Sequence, residues 1–296
     1  MSPEELQPEN AARSDQEQLK ELQTRARGLA APLVDVGKRT VKDPDLLGAL
    51  DKAANKLQDA GAIAASFRAL SEDIRTFVKS VRESRAAGFG RVLAEFVQAQ
   101  RAAGTELREI STTVWRVGPI ELEGDAAASR ARARYAHREI DEWRPVASRS
   151  DLDSVLSEAL ARLKRVEIDE AQLGAVFFEA YEVLALGALA AQGAARRVKL
   201  VELRREVHLA VLRRALAKDA DRPLGKVEFP SWAFAYNADR YRRIHRELPA
   251  QQRLSFETGS QQDHKVGLAV TMNGLDPKAE YKAFCYAEPT PAGDGQ

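Results

Sequence analysis

Two acids in an otherwise apolar stretch, Glu179 and Glu182, have the type and spacing to do chemistry. Three residues apart on a helix, they share one face. Clustered carboxylates can ligate a metal or serve as an acid and base pair, but an unpaired buried carboxylate is costly. The sequence offers partners. A hairpin about Gly193 sets Glu182 opposite Arg204 and Glu179 near Val207 or His208, and Arg197, Arg204 and His208 share a helix face. No Glu-x-x-His spacing accompanies the acids. The expectation is therefore a structural set of ion pairs among Glu179, Glu182, Arg197, Arg204 and His208, with no metal.

A second grouping lies near the C-terminus, where Glu280-Tyr281-Lys282 follows an upstream acid, Asp263. In three residues it resembles the skeleton of metal-dependent nucleases of the restriction-endonuclease type. There the carboxylates hold a divalent ion and the lysine helps activate water. The resemblance implies a βαβ framework, and the segment reads instead as a bare hairpin. The four histidines, His137, His208, His245 and His264, have no partner histidine at helical spacing, so a helix-borne zinc motif is not expected. Gly88-Phe89-Gly90 lacks the strand and the Lys-Ser/Thr of a phosphate-binding loop, and no cofactor is expected. With Cys285 as the only cysteine, an intrachain disulfide and a multi-cysteine zinc site are ruled out. A lone thiol among apolar neighbours suits an inert core position and a reducing cytoplasmic compartment.

Arginines supply the remaining signal. Arg130, Arg132, Arg134 and Arg138 surround Tyr135 and His137, and Arg240, Arg242, Arg243 and Arg246 surround Tyr241 and His245. On helices, Arg130, Arg134 and Arg138 would form one stripe. Guanidinium groups match phosphate geometry, so both clusters are candidate nucleic-acid contacts through salt-sensitive attraction. Net charge is only +1, yet residues 196–246 carry fourteen Lys or Arg against six acids, and residues 1–24 carry six acids against two bases. Such segregation can steer partners together.

The elements that must position these groups read as mainly α: a helical bundle with long front helices and a small β-containing C-terminal segment. Charged residues at 30% and aromatics at only 6% fit solvated helices. Asp43-Pro44 marks a helix start. Ile63, Phe67, Leu70, Ile74, Phe77 and Val81 follow at alternating spacings of four and three, the pattern of a seam that faces another helix. A possible break at Gly88-Phe89-Gly90 precedes a continued stripe to Ile110. Val114–Val117 and Ile120–Glu123 read as strands across Gly118-Pro119. Residues 125–143 read as helix, followed by helices from Ser150, Asp169, Ala195 and Ser231. The tail from Leu254 to Tyr286 reads as β, with strands over 266–272 and 281–286 about the Asn273-Gly274 turn. Expected domains are 1–111, 112–250 and 251–286, followed by a disordered tail, 287–296. The apolar stretch 171–195 is interrupted by Glu179 and Glu182, too short to span a membrane.

These features point to a non-catalytic helical scaffold: an interaction subunit of a larger assembly, accessory to an ATPase or a nucleic-acid-processing machine, with another protein subunit as partner. The alternative is a direct DNA- or RNA-binding protein using the arginine-rich helices. A metal-dependent nuclease is third.

Overall fold

The computed structural model describes residues 16–28, 60–192, 197–220 and 229–290, with side chains placed from residue 64 to 187 in the second of these ranges. The chain divides into two compact units, Met1–Ala87 and Gly88–Gln296.

In the first unit, helix α1 covers residues 16–28, and α2 (Ala60–Ala102) begins. Arg25 of α1 pairs with Asp73 of α2 at 2.6 Å. Helix α2 crosses Gly88-Phe89-Gly90 without the expected break. In the second unit it stops at Gly104, whose φ of +72° favours glycine. The Thr105 N–H donates to Gln100 O at 2.9 Å and the Gly104 N–H to Arg101 O at 3.0 Å. That pair of bonds closes the last turn as a Schellman motif. Leu107 and Ile110, expected to continue the helix, instead lie in a strand.

The mainly helical reading fails in the second unit, which is mixed α/β with three antiparallel sheets among the described residues. The largest is a meander of β1 (Leu107–Ser111), β2 (Val114–Val117), β3 (Ile120–Asp125), β4 (Arg130–Tyr135) and β5 (Arg138–Glu139), with β6 (Arg144–Pro145) beside β4. Residues 125–143, expected as helix, contain no helix and instead hold β4, β5 and the turns around them. The reason is period: in Arg-Ala-Arg-Ala-Arg-Tyr every second side chain is buried, namely Ala131, Ala133 and Tyr135. Alternation at period two serves a sheet with one packed face, and it outweighs the helix propensity of Ala and Arg. The expected turn at Gly118-Pro119 is present, with Val117 facing Ile120.

Four longer helices follow the meander: α3 (Arg149–Arg165), α4 (Glu170–Gln192), α5 (Leu200–Lys218) and α6 (Ser231–Ile244). Helix α3 packs on β4. Helix α5 starts at Leu200 rather than Ala195, because Val198–Lys199 forms β7. Strand β8 (Leu254–Glu257) follows, then the short helix α7 (Gln261–Lys265), β9 (Val270–Met272), β10 (Lys282–Phe284) and β11 (Tyr286–Pro289). The expected strand over 266–272 shrinks to β9, since Gly267 turns at a φ of +79°. The segment 281–286 divides: β10 pairs with β9, while β11 lies between β7 and β8. The tail expected to be disordered from 287 thus starts as paired strand, and 291–296 lie outside the described residues. One hydrophobic core runs from Phe89 to Ala287, so the expected domain borders at 111/112 and 250/251 both fall inside it.

Candidate interaction surfaces

The register of β3 against β4 decides what the first arginine cluster can do. Glu121 faces Arg134, Glu123 faces Arg132 and Asp125 faces Arg130. Side chains directly opposite on one face of an antiparallel pair interact. Arg130 meets Asp125 at 3.0 Å, and Arg132 meets Glu123 at 2.6 Å and also pairs with Glu139. Arg134 meets Glu123 at 3.2 Å and donates to His137 O at 2.6 Å. The guanidinium groups of Arg130 and Arg132 lie 4.7 and 4.4 Å from the Trp143 ring. Arg138 donates to the Thr271 carbonyl at 2.9 Å. Burial, and then the neighbouring cation of Arg204, lower its pKa. The stripe is a self-neutralising ladder.

At one end the ladder passes beneath the turn 273–281. Arg116 and Glu121, opposite each other in β2 and β3, are 1% and 0% exposed. Arg116 donates to the carbonyls of Asn273 (2.5 Å), Gly274 (2.6 Å) and Ala279 (2.8 Å). Glu121 accepts from Asn273 Nδ2 at 3.2 Å and from the His137 N–H. Ala136 and His137 sit at φ +48° and +65°, the left-handed pair of a two-residue hairpin turn. The bond to Glu121 helps hold this turn without glycine. The His137 ring lies against Tyr281 at 4.2 Å, with Nδ1 3.7 Å from Glu121. Burial, and then Glu121, raise the Tyr281 pKa.

The second cluster belongs to α6. Arg240 is buried, 3.1 Å from Glu167, and donates to Ile168 O at 2.6 Å. Arg242 meets Asp239 at 3.4 Å and lies over Phe284, while Arg243 meets Glu170 at 3.3 Å. Only Arg246 of the four is an exposed cation with no acidic partner among the described residues. Arg242, Arg243 and Arg246 line a cleft of about 450 Å³ with His245. Asp239, next to Arg240, joins three elements. Its Oδ2 accepts from the Tyr135 hydroxyl (2.8 Å) and from the N–H groups of Gly274 (3.0 Å) and Asn273 (3.1 Å).

The expected pairing around Glu179 and Glu182 is replaced by another. Glu179 meets Arg214 at 2.7 Å and Arg213 at 3.7 Å, further along α5 than Arg204. Glu182 is exposed. Arg197 pairs with Glu257 at 2.9 Å and stacks on Tyr286, since β7 carries it to the sheet with β11. Arg204 lies near Arg138. His208 stacks on Phe229, and its Nε2 is buried without a partner. Counting equal distances from Gly193 assumed two straight helices, and the intervening strand displaces the register.

The nuclease-like residues do not assemble either. Asp263 caps α7 by accepting from the Ser260 N–H at 2.7 Å, and its other oxygen accepts from the Tyr286 hydroxyl at 2.7 Å. Glu280 and Lys282 point to solvent. Among the described residues no three His, Cys, Asp or Glu side chains are grouped to hold a metal ion.

Of the front seam, Leu70 is buried and Phe77 and Val81 are half-buried, while Phe67 and Ile74 are 47% and 42% exposed. The side chain of Ile63 lies outside the described residues. Val78, beside the seam, is exposed as well. Farther along the same helix, Phe89 and Phe96 are fully packed in the core of the second unit. No described helix is long and apolar enough to cross a membrane. Comparison of the chain with protein-family models, with curated proteins and with solved structures gives no match.

Proposed function

We propose that this chain is a non-catalytic interaction subunit that meets another protein through the apolar seam of α2. One observation carries this reading: Phe67, Ile74 and Val78, large apolar side chains within twelve residues of one helix, are exposed. Exposed apolar residues are unremarkable singly and informative when grouped on one stripe. The α/β unit provides the folded anchor for that helix. A reducing cytoplasm suits the single buried thiol, Cys285. Assistance to an ATPase or a nucleic-acid-processing machine is the setting in which such a subunit fits.

Copurification from the native cell, with crosslinking through α2, tests the reading. A Phe67→Glu, Ile74→Glu chain should lose its partner while keeping its circular-dichroism melt. A full-length chain that recovers no partner and stays monomeric defeats it. Direct nucleic-acid binding is the weaker reading, because the arginines that motivated it hold acids or carbonyls among the described residues, Arg246 excepted.

A further inference from the structure

Within the first unit, α2 carries five cations, Arg68, Arg75, Lys79, Arg82 and Arg85, against three acids, Glu72, Asp73 and Glu83. Three of the cations recur every seven residues: Arg68, Arg75 and Arg82 each follow directly after a seam position, Phe67, Ile74 and Val81. At 3.6 residues per turn, that spacing draws them along one border of the exposed stripe of Phe67, Ile74 and Val78. The other border, one residue before each seam position, carries Ser66, Asp73 and Ser80. That border meets α1 through the pair of Asp73 with Arg25.

The three acids are all engaged. Glu72 pairs with Arg75 at 3.5 Å, Glu83 with Lys79 at 4.0 Å and Asp73 with Arg25 at 2.6 Å. Arg68, Arg82 and Arg85 are exposed, and none has an acidic partner among the described residues. Arg85, seven residues after Val78, closes the stripe itself. One border of the seam thus carries a single sign of charge, and no acid of this stretch is left to neutralise it.

We propose that the partner on α2 is an acidic amphipathic helix, its apolar stripe packed on Phe67, Ile74 and Val78 and its carboxylates set against Arg68, Arg75 and Arg82. The inference rests on the interaction-subunit reading and names the partner's chemistry at that same seam. Apolar residues at spacings of three and four are matched by another helix, and the charges that border such a seam select its partner. A second copy of α2 laid antiparallel would bring arginine against arginine, which disfavours self-association through this face. A lipid surface would also take these cations, but helices that lie on membranes present a broad apolar face. Here three large apolar residues are exposed over about three turns, with the polar Ser71 between them.

Fluorescence anisotropy on the full chain tests it with three labelled probes: a helix-forming peptide with leucines at seam positions and glutamates along both borders, its lysine counterpart, and a peptide copy of residues 60–87. Co-sedimentation with phosphatidylserine vesicles is the fourth arm. The glutamate peptide should bind and the other three should not. Arg68→Glu and Arg82→Glu should each weaken that binding roughly five-fold, and together roughly twenty-fold, with the circular-dichroism melt unchanged. The doubly reversed chain should now take the lysine peptide. Ile74→Ser, which alters no charge, should weaken the glutamate peptide roughly ten-fold. Equal binding of the two peptides, both sensitive to Ile74→Ser, overturns the acidic partner and leaves the seam reading standing. The proposal is also overturned by no binding of the glutamate peptide at about 1 mM, by tighter binding of the vesicles or of the α2 copy, or by indifference to the double reversal. Copurification of a partner, which tests the seam itself, is read independently of these outcomes.

Discussion

The arginines of β4 and the cations that end α3 and α5 are the same chemistry in opposite circumstances. Arg130, Arg132 and Arg134 each face an acid across one strand pair, whereas Arg165 and Lys218 end their helices with no ion pair among the described residues. By sequence density the first group is the conspicuous one; by available charge the second is. Positive charge in a sequence is an inventory, and pairing register decides how much of it faces outward.

Breaking the ladder at its buried end should have the largest effect. Arg116→Met leaves the carbonyls of Asn273, Gly274 and Ala279 without their donor and removes the cation opposite the buried Glu121, and urea unfolding should show a loss of about 3 kcal/mol or more. A smaller loss, about 2 kcal/mol, is expected for Gly124→Ala on the opposite face of β3. An added Cβ there would lie 2.7 Å from the buried Phe89 ring, and overpacking of that kind costs roughly 1–3 kcal/mol. In mid-ladder, a double-mutant cycle on Glu123 and Arg132 should give a coupling of about 1 kcal/mol that shrinks in high salt. A coupling of zero would mean that the ladder is not neutralised from within. By contrast, Arg165→Ala and Lys218→Ala should change stability by less than about 0.5 kcal/mol, since neither side chain has a hydrogen bond or ion pair among the described residues.

The smallest effect is one of pH. The Ala147 N–H, and then that of Ser148, hold the Asp151 carboxyl below its ordinary value of 3.8. The folded chain therefore binds fewer protons than the unfolded one between the lowered value and 3.8. This contribution is complete above that window and is lost as pH falls through it. Asp151→Asn should flatten that part of the acid limb in a stability-versus-pH series; an unchanged limb would show that the cap contributes nothing there.

Much of the local structure was legible in advance. The turn at Gly118-Pro119 and helices α3, α4 and α6 follow from turn residues, caps and periodicity. The error at residues 125–143 came from weighing the helix propensity of Ala and Arg above their strict alternation. The buried polar pairing of Arg116 with the turn at 273–281, and the role of Asp239, gave no local sign, because they join residues more than thirty positions apart.

The sequence alone determined where segments turn, which side chains alternate toward a core, and that one cysteine excludes an intrachain disulfide. Those properties depend on neighbours along the chain. Which charge meets which was decided by the tertiary structure. Ion pairs require atoms within a few ångströms, and a two-residue strand before α5 or the register of β4 moves every candidate partner by more than that.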